Sequence, residues 1–427
     1  MEQTDIQRKI YDVAVIGGGA AGLMAAGRAA KNGYSVLLIE KMEKGGRKVR
    51  ISGKGRCNVT NMRPEEECLA KIRGDVEFFR PALHNFNNKA VFRFFERMGV
   101  KLAVEQGDRV FPKSGNAWDI ADALVYWCRD NGVEIWFHTK VERILTVGGQ
   151  VYGVEYTNRR GFRRKVDARN VIIATGGASY PLTGSTGDGY AMANALGHTI
   201  VEVRPALVPL KTSHPDIKLL EKTFLKNISA TLVIDGEPAA TEFGELSISP
   251  RGVEGAVTLR MSGQAVDALI DGGKVEMLID IKPALTEQQI CDRLKREIAQ
   301  LPEDAFFGDL LRKVLPRPMV AVIARSIGIE TRRYVSRLTD DDLLAAAHAM
   351  KSFELPISDY CPFENAIVTA GGVSTDEVDA QSMESKKVKG LYLAGEVLDL
   401  DASTGGYNLQ IAFSTGYLAG ELKGYEK

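Results

Sequence analysis

The chain has 427 residues, with 55 basic and 55 acidic side chains and a formal net charge of zero. Its length exceeds that of one ordinary domain, so we expect two or three domains. The balanced charge argues against a nucleic-acid-binding protein that depends on its overall electrostatics, although it is compatible with a local basic patch. Nucleic acid is therefore an unfavoured partner from composition.

Cysteine usage and hydropathy indicate the compartment. The five cysteines are scattered and no two form a C-x-x-C pair, which weighs against a dithiol redox centre or a zinc ribbon. The polar N-terminus has no apolar signal core, and no uncharged apolar run reaches the ~18 residues of a membrane span. We therefore expect a cytoplasmic protein with no membrane partner; its oligomeric state is not predicted.

A βαβ unit is predicted near the start of the chain. A short apolar strand leads into Gly17-x-Gly19-x-x-Gly22, which opens an alanine-rich helix followed by a second apolar strand. In this fingerprint the glycines permit a tight turn, close approach of a pyrophosphate and close packing of helix on strand. Glu40 ends the second strand, where a carboxylate accepts hydrogen bonds from an adenosine ribose. The unit predicts dinucleotide binding.

Two later segments favour FAD over NAD(P). An apolar strand ends at Gly395 and Glu396, an acid of the kind that flavoproteins place on the ribityl chain, and Gly406 begins a predicted helix. The positive end of that helix would favour an anionic reduced flavin. Gly176 and Gly177 follow another buried strand, and the carboxyl ends of parallel strands share one ligand-binding edge. The first turn alone allows NAD(P), but the three segments together predict FAD.

The remaining pattern predicts a split domain. Between the glycine segments we expect helices over 88–98, 117–131 and 187–196 and a hairpin of 134–146 with 151–157. The fold class is α/β, with a discontinuous Rossmann-like domain of residues 1–203 and 358–427 and an inserted domain of residues 204–357. Within the insert we expect a β-rich part, 204–262 and about 330–357, and a mostly helical part, 263–330, although residues 341–350 have the apolar period of a helix.

Several blocks of residues carry a resemblance to a known family. The blocks are VIGGGAAG at 15–22, ISGKGRCNVTN at 51–61, RVFP at 109–112, ATGGASYP at 174–181, TGSTGDG at 183–189, TAGGV at 369–373, MESK at 383–386, and GEVLD at 395–399 through GGYN at 405–408. With them the chain resembles the BaiN/YhiN-type flavoproteins, which include aminoacetone oxidase-like enzymes and are related more distantly to fumarate reductase flavoproteins. The resemblance implies a discontinuous FAD domain and an insert with a β-barrel-like part and a helical part.

The resemblance and the fingerprint together assign the cofactor contacts, with Ser52, Asn58, Glu396, Asp399 and Asn408 expected near the flavin ring or the ribityl chain. The predicted cofactor-binding residues are Gly17, Gly19, Ala20, Ala21, Gly22, Glu40, Lys41, Arg47, Lys48, Ser52, Gly53, Asn58, Val141, Thr175, Gly176, Gly177, Gly395, Glu396, Asp399, Gly406, Asn408 and Leu409. Two departures affect the substrate pocket. The family's histidine-containing stretch is replaced by SPRGVEGA at 249–256, and Asp401-Ala402 stands where the family has Asp-Gly.

No residue can be assigned as catalytic. Tyr180, His214, Arg251 and His348 are weak candidates for acid–base or anion-binding work. Cys57 is expected to be a small buried side chain rather than a flavin attachment point. No histidine or cysteine has the spacing of metal ligands, so no metal is predicted. The basic run from Arg47 to Arg56 is explained better as counter-charge for a pyrophosphate than as a nucleic-acid surface.

The sequence therefore predicts an FAD-dependent oxidoreductase that acts on a small organic substrate by hydride or electron transfer at flavin N5. Reduction of an activated C=C bond and oxidation of a small amine both stay open, and NAD(P)H is a candidate transient reductant because no second dinucleotide fingerprint is present. The alternatives are a flavin-dependent RNA-modifying or RNA-binding protein and a non-catalytic flavin sensor. We expect the insert to cover the flavin and to determine the choice of substrate.

Overall fold

A computed structural model describes residues 9–425, which divide into two units. The first unit consists of the described residues up to Arg204 together with those from Ile367 onward, and the second is Pro205–Ala366. Residues 1–8, in which no signal core is predicted, lie outside the described residues. Within residues 9–425 no helix combines the length and apolar character needed to cross a membrane.

The first unit is built on a sheet that is mostly parallel. The strands of the first unit, inside and outside this sheet, are β1 (Ile10–Ile16), β2 (Val36–Ile39), β3 (Thr60–Asn61), β4 (Ile72–Gly74), β5 (Leu102–Glu105), β6 (Arg109–Pro112), β7 (Glu134–Trp136), β8 (Lys140–Val147), β9 (Gln150–Thr157), β10 (Arg163–Ile173), β11 (Ile200–Ala206), β18 (Val368–Val373), β19 (Leu391–Leu393) and β20 (Leu400–Ala402). The sheet order is β7-β2-β1-β10-β9-β8, with β19 paired to β10. The strands β7, β2, β1, β10 and β19 run parallel, whereas β8, β9 and the first half of β10 form an antiparallel meander.

Helices cover this sheet. They are α1 (Ala20–Lys31), α2 (Arg47–Ile51), α3 (Glu65–Leu69), α4 (Val76–Asn85), α5 (Asn88–Arg97), α6 (Ala117–Asp130), α7 (Asp188–Ala195) and α14 (Tyr407–Ala419). Close packing joins the first and last of them, because a Cβ at Gly416 would lie 2.4 Å from the backbone oxygen of Ala21, and one at Gly420 would lie 2.4 Å from that of Ala25. The helix that follows the first glycine turn therefore contacts the C-terminal helix directly.

The second unit is a barrel with attached helices and has its own core. Its strands are β12 (Leu210–Thr212), β13 (Phe224–Ile234), β14 (Glu237–Ser249), β15 (Gly252–Glu254), β16 (Val275–Asp280) and β17 (Phe353–Tyr360). They close in the order β12-β15-β14-β13-β16-β17, with β17 paired to β12. Its helices are α8 (Ile217–Leu220), α9 (Ala256–Ile270), α10 (Glu287–Ile298), α11 (Phe307–Arg312), α12 (Arg317–Ser326) and α13 (Asp340–Lys351). The predicted Rossmann-like fold with a barrel-containing insert is confirmed.

Short 3₁₀ turns complete the two units at Ser52–Gly55, Pro181–Thr183, Val335–Arg337 and Thr375–Glu377.

Some predicted boundaries within the insert are wrong. The longest element in the stretch of about 330–357 is α13 rather than a strand, because Thr339 caps that helix and its apolar period is helical; only β17 is a strand there. The predicted helical part, 263–330, contains β16, whose burial alternates with the two-residue period of a strand. The predicted β-rich part, 204–262, includes the start of α9.

Two further differences concern the first unit. The predicted hairpin arm 134–146 is interrupted, because His138 has a positive φ of 51° and the residues before it form β7, which pairs with β2 in parallel. The return of the chain to the first unit comes at Ile367 rather than at residue 358, because β17 stays in the barrel as far as Tyr360. Neither difference affects the strands that carry the glycine segments.

Candidate cofactor site

Four neighbouring strands end at one edge of the parallel sheet. β1 lies between β2 and β10, and β10 pairs with β19. The segments predicted around Gly17, Glu40, Gly176 and Gly395 follow these four strands directly. In open α/β sheets this edge is the one at which ligands bind. The structure thus brings together segments that are far apart in the sequence.

The first turn is shaped by its glycines. Gly17 has a φ of +101°, and a Cβ there would lie 2.5 Å from the backbone oxygen of Ala174. A Cβ at Gly22 would lie 1.8 Å from the oxygen of Gly17, so neither position accepts a side chain. Gly19 differs, because a Cβ there would meet no described atom within 4 Å. α1 begins at Ala20 with no side-chain cap and no acid in its first turn, so its first amides are available to an anion.

Glu40 and Lys41 follow β2. Glu40 accepts hydrogen bonds from the amides of Gly18 at 2.6 Å and Met42 at 2.7 Å. Burial raises the pKa of the Glu40 carboxyl above its usual value, and these two amides offset only part of that rise. The Nζ atom of Lys41 lies 2.7 Å from a carboxylate oxygen of Asp188, in the first turn of α7. Lys41 therefore fixes the TGSTGDG loop beside this end of the site.

Glu396 is the centre of a charged network. Its two carboxylate oxygens accept hydrogen bonds from Lys48 Nζ at 2.9 Å, from Ser179 Oγ at 2.9 Å and from the amide of Thr369 at 2.9 Å. Burial alone would raise the pKa of Glu396, but Lys48 and the two other donors outweigh it, so the pKa lies below its usual value. The structure therefore holds Glu396 as a carboxylate. The ion pair also brings together Lys48 and Glu396, two predicted cofactor residues that are distant in sequence.

The glycine bends after β10 and β19 surround this network. A Cβ at Gly177 would lie 2.4 Å from Thr369 Oγ1, and one at Gly395 would lie 2.7 Å from the Cβ of Ala21. The amide of Gly395 donates to Thr415 Oγ1 of α14 at 2.9 Å. The bend at Gly395 consequently contacts α1 and α14, and the bend at Gly177 contacts Thr369 of β18. Thr175 is similarly confined, because a Cβ on Gly189 would lie 2.2 Å from its Oγ1.

The loop of residues 45–61 supplies a second side of the site. Ser52 Oγ donates to the oxygen of Val49 at 2.7 Å, and Gly53 has a positive φ of 55°. Oδ1 of Asn58 is buried and has no hydrogen-bond partner among residues 9–425. A buried acceptor of this kind is uncommon in a folded protein, and its assignment to the cofactor stays a prediction. Cys57 is fully buried, and burial raises its pKa to about 12, which fits a packed thiol and not a reactive one.

The start of α14 lies next to this loop. Gly406 has a φ of +99°, and a Cβ there would lie 2.6 Å from the backbone of Thr60. The helix has no side-chain cap and no acid in its first turn. The side chain of Asn408 bonds the backbone of Ala402 in both directions, at 2.9 and 2.7 Å, so only its main chain stays available to a ligand. Leu409 is half-buried against the core.

Three other predicted cofactor residues have their own partners in the first unit. Arg47 pairs with Glu43 at 2.5 Å, on the exposed side of α2. Val141 is buried in β8, opposite Tyr156. Burial raises the pKa of the half-buried Asp399 carboxyl, and Arg204 acts in the opposite direction. Their assignment to the cofactor stays a prediction.

The weak catalytic candidates are divided between the units. Tyr180, in the first unit, has a positive φ of 50° and directly follows Ser179 of the Glu396 network. In the second unit His214 accepts a hydrogen bond from the amide of Asp216 at 3.1 Å, and burial lowers its pKa. Also in the second unit, the exposed Arg251 and His348 pair with nearby carboxylates. A catalytic role for any of the four stays a prediction.

The sequence interpretation did not include Ser179 and Thr369 among the cofactor residues. Both lie inside blocks of the family resemblance, ATGGASYP and TAGGV, and that was the available signal. Their contribution depends on β10, β18 and the loop after β19 meeting in space, which residue spacing does not reveal. Thr369 Oγ1 also accepts the amides of Ala178 at 2.9 Å and Ser179 at 3.0 Å, so it holds the bend itself in place.

The fold and this edge define a flavoprotein-type oxidoreductase with a Rossmann-like domain. A family model described as HI0933-like protein Rossmann domain matches residues 11–422, and the chain belongs to this family. The chain is 32% identical over 412 residues to the 3-dehydro-bile acid delta(4,6)-reductase of Clostridium scindens, a match that covers 96% of this chain and 98% of the relative. The predicted family resemblance and the predicted class of enzyme are confirmed.

Other relatives are named for a different activity. The chain is 29% identical over 407 residues to the ribosomal RNA dihydrouridine synthase of Haemophilus influenzae, covering 94% of this chain and 96% of the relative. Among solved structures, the 3-ketosteroid delta1-dehydrogenase of Sterolibacterium denitrificans superposes with a TM-score of 0.51 at 15% identity, covering 96% of this chain and 99% of that one. At that identity the superposition speaks for the fold alone.

Proposed function

We propose that this protein binds FAD and reduces a carbon–carbon double bond conjugated to a carbonyl group in a small organic substrate. The observation that carries the proposal is the meeting of the three glycine segments at adjacent strand ends, around the Lys48–Glu396 ion pair. The two ends of one dinucleotide would be served by different groups. The uncapped amides of α1 and the acid Glu40 suit the adenosine and pyrophosphate end, and the second acid, Glu396, suits the other end.

The residues present fit FAD at specific points. The open approach at Gly19 and the first amides of α1 would receive the pyrophosphate, and Glu40 would receive the adenosine ribose. Glu396 would hold the ribityl chain, and the orphaned Oδ1 of Asn58 would accept a hydrogen bond from the flavin ring. The first turn of α14 at Gly406 would lie beside the ring and stabilise negative charge there. When bound, FAD would supply hydride transfer to the substrate from its N5 atom.

The direction of the reaction is inferred from the relatives. The names delta(4,6)-reductase and dihydrouridine synthase both describe saturation of a carbon–carbon double bond. This shared chemistry favours reduction over the oxidation of a small amine. Reduction adds a hydride at one carbon and a proton at the other, and Tyr180 is the candidate proton donor in the first unit because it adjoins Ser179 of the Glu396 network. NAD(P)H is the proposed source of the electrons.

The cofactor is tested first, with a matched pair of variants. Gly19→Val places a side chain where no described atom lies within 4 Å, at a backbone φ of −82° that valine adopts, so the fold should persist. We expect wild-type protein to show a flavin band at ~450 nm and Gly19→Val to bind FAD at least 100-fold more weakly with an unchanged apoprotein melting temperature. Lys31→Ala, at an exposed position at the far end of α1, is the control. A wild-type protein that stays colourless after incubation with FAD would refute the proposal.

The reaction is tested next by anaerobic spectroscopy. NADH or NADPH should bleach the bound flavin, and an unsaturated 3-oxosteroid should restore its colour, whereas a panel of small amines should leave the oxidised flavin unchanged. Tyr180→Phe should slow the restoring step and spare the bleaching step. Bleaching by the amines would contradict the proposed direction. A flavin that none of these compounds reduces or reoxidises would indicate the non-catalytic sensor.

A second candidate function is reduction of a uracil base within RNA. Relatives at 29% and 27% identity that match over nearly the whole chain are named ribosomal RNA dihydrouridine synthases. The chemistry is the same, because the 5,6 double bond of uracil is conjugated to a carbonyl group. The two candidates are separated by offering the reduced enzyme a uridine-containing RNA and the steroid in parallel. The substrate that reoxidises the flavin faster decides between them.

A further inference from the structure

An open groove of about 480 Å³ lies between the end of β7 and the turn that joins β9 to β10. Its aromatic and basic lining residues are Trp136, Phe137, Arg159, Arg160, Phe162 and Arg164, and we call these six residues the arginine groove. Within the part of the chain that the structure describes, no acidic residue lines it. None of the six belongs to the predicted cofactor residues, so the groove requires an explanation of its own.

The turn that forms one wall is held in a single shape. Oδ1 of Asn158 accepts the amides of Arg160 at 3.0 Å and Phe162 at 3.1 Å. The amide of Gly161 donates to the oxygen of Asn158 at 2.8 Å, at a positive φ of 79° that suits glycine. The ring of Phe162 is nevertheless 56% exposed. The turn therefore presents its two arginines and an aromatic face from a preorganised backbone, which lowers the entropic cost of binding.

The positive charge of the groove is not neutralised by the protein. Arg159, Arg160 and Arg164 have no carboxylate partner among residues 9–425. The nearest acid in the strand ladder, Glu155, is already bonded to Arg143 at 3.1 Å and lies 3.5 Å from Arg163. Because strand side chains alternate, Arg163 and Arg164 point to opposite faces of β10. Three guanidinium groups are thus left for a ligand with several negative charges.

The opposite wall supplies a second aromatic surface. Nε1 of Trp136 donates to Glu134 Oε1 at 2.9 Å, and its ring lies 5.2 Å from that of Tyr156. Tyr156 is paired in register with Arg164, so the aromatic and basic side chains share one face of the meander. Aromatic rings stack on bases of any sequence, and guanidinium groups match phosphate geometry with two hydrogen bonds.

We propose that the arginine groove binds single-stranded RNA, with a base stacked on Phe162 and the adjoining phosphates held by its three arginines. The inference rests on the second candidate function for its biological setting. Basic side chains without the rings would bind any polyanion, and exposed rings without the basic side chains would bind a hydrophobic partner. The combination of exposed rings with unpaired guanidinium groups on a fixed turn is what nucleotides require, and it selects RNA over an acidic peptide.

The test is fluorescence anisotropy of a labelled single-stranded RNA of 12 nucleotides with the flavin-loaded protein at 50 mM salt. We expect saturable binding that weakens with salt at a log–log slope of about −2, which corresponds to about three neutralised phosphates. The double variant Arg160→Gln/Arg164→Gln should weaken binding at least tenfold, and Phe162→Ala at least fivefold. Arg163→Gln, on the same strand but paired with Glu155, is the matched control and should bind as the wild type does.

Competition by other ligands distinguishes RNA from the alternative occupants of the arginine groove. Competition by heparin or polyglutamate as strong as that by unlabelled RNA, with no effect of Phe162→Ala, would show a general polyanion surface and overturn the proposal. Displacement of the RNA by ADP or NADPH at micromolar concentrations would assign the groove to a free nucleotide instead. No binding at 50 mM salt would also overturn it. Because binding is measured without turnover, RNA that binds but is not reduced would reject the second candidate function and leave the groove assignment intact.

Discussion

Two basic segments of the first unit differ in how their charges are used. In residues 47–56 nearly every cation has a carboxylate partner: Arg47 with Glu43, Lys48 with Glu396, Arg50 with Asp122 and Arg56 with Glu105. In residues 159–164 only Arg163 has a carboxylate partner among residues 9–425. Both segments are strongly basic in the sequence, with five basic residues in 47–56 and four in 159–164. The comparison shows that the number of charges does not distinguish a structural scaffold from a binding surface, whereas the partners of those charges do.

The cause lies in what each segment packs against. α2 and the turn after it lie against α6 and the Glu396 network, so their charges are partly buried and must be paired. The β9–β10 turn projects from the meander, where water satisfies a guanidinium group at no cost. Substitution of Lys48 or Arg50 in the first segment should therefore affect stability, whereas substitutions in the second segment should affect neither stability nor the cofactor.

The largest effect is expected for Lys48→Met. The variant leaves Glu396 with only Ser179 and Thr369, in a pair whose side chains are 26% and 21% exposed. We expect a loss of about 2–3 kcal/mol in the free energy of unfolding, less than for a fully buried pair, together with at least tenfold weaker FAD binding. Urea unfolding and flavin titration measure the two quantities.

The control for this variant is Lys54→Met, in the same loop but exposed and without a carboxylate partner among residues 9–425. It should match the wild type in both measurements. The double variant Lys48→Met/Glu396→Gln should recover part of the lost stability, because it removes the unpaired charge. A Lys48→Met protein as stable as the wild type would show that the ion pair is not structural.

The next largest effect is the pH dependence of the stability that the Lys48–Glu396 ion pair contributes. The pKa of Glu396 in the folded protein lies below its usual value of 4.5, so the carboxylate stabilises the fold fully above about pH 5. That contribution is lost as the pH falls below 4.5 and passes through the folded pKa. The difference in unfolding free energy between wild type and Lys48→Met should therefore shrink between pH 7 and pH 3.5. A difference that stays constant with pH would assign the effect to packing.

Much of this arrangement could be predicted from the sequence. The glycine fingerprint, Glu40 and Glu396 follow strands whose apolar composition is unambiguous, and parallel strands must bring their carboxyl ends to one edge. The pairing of Lys48 with Glu396 could not be predicted, because it depends on how α2 folds back over the sheet. For the same reason the contacts of Ser179 and Thr369 with Glu396 were not predicted. Asn408 stays a predicted cofactor residue, and its side chain bonds the backbone of Ala402 in β20.

The insert was harder to predict than the first unit. β16 is a six-residue strand inside a region of helical composition, and its role is decided by pairing with β13 and β17, which are far away in the sequence. The helix α13 shows the opposite error, since its local helical period is correct and only its assignment to the β-rich part is wrong. Local patterns identified elements, and long-range pairing decided which layer each one joined.

A smaller effect is expected for Arg50→Lys. Nε of Arg50 donates to the oxygen of Gly45 at 3.1 Å, and the guanidinium carbon lies 4.5 Å from the ring of Trp118. Lysine keeps the charge but cannot stack on the Trp118 ring and donate to the Gly45 oxygen at the same time. We therefore expect a loss of about 1–2 kcal/mol in unfolding free energy. Its exposed partner Asp122 adds little. Arg56→Lys, in an exposed pair, should lose less unfolding free energy than Arg50→Lys, and an equal loss in both variants would contradict this ranking.

The smallest effect on the fold is expected for Arg159→Gln/Arg160→Gln in the second segment. Neither side chain has a carboxylate partner among residues 9–425, and both are exposed, so the unfolding free energy should change by less than about 0.5 kcal/mol and FAD affinity not at all. Any change should be a small gain at low salt that vanishes at high salt, because the substitutions relieve repulsion within the arginine groove. Urea unfolding at 20 mM and 500 mM salt measures it. A marked loss of stability would mean that these arginines are structural and that the two segments do not differ as their ion pairs indicate.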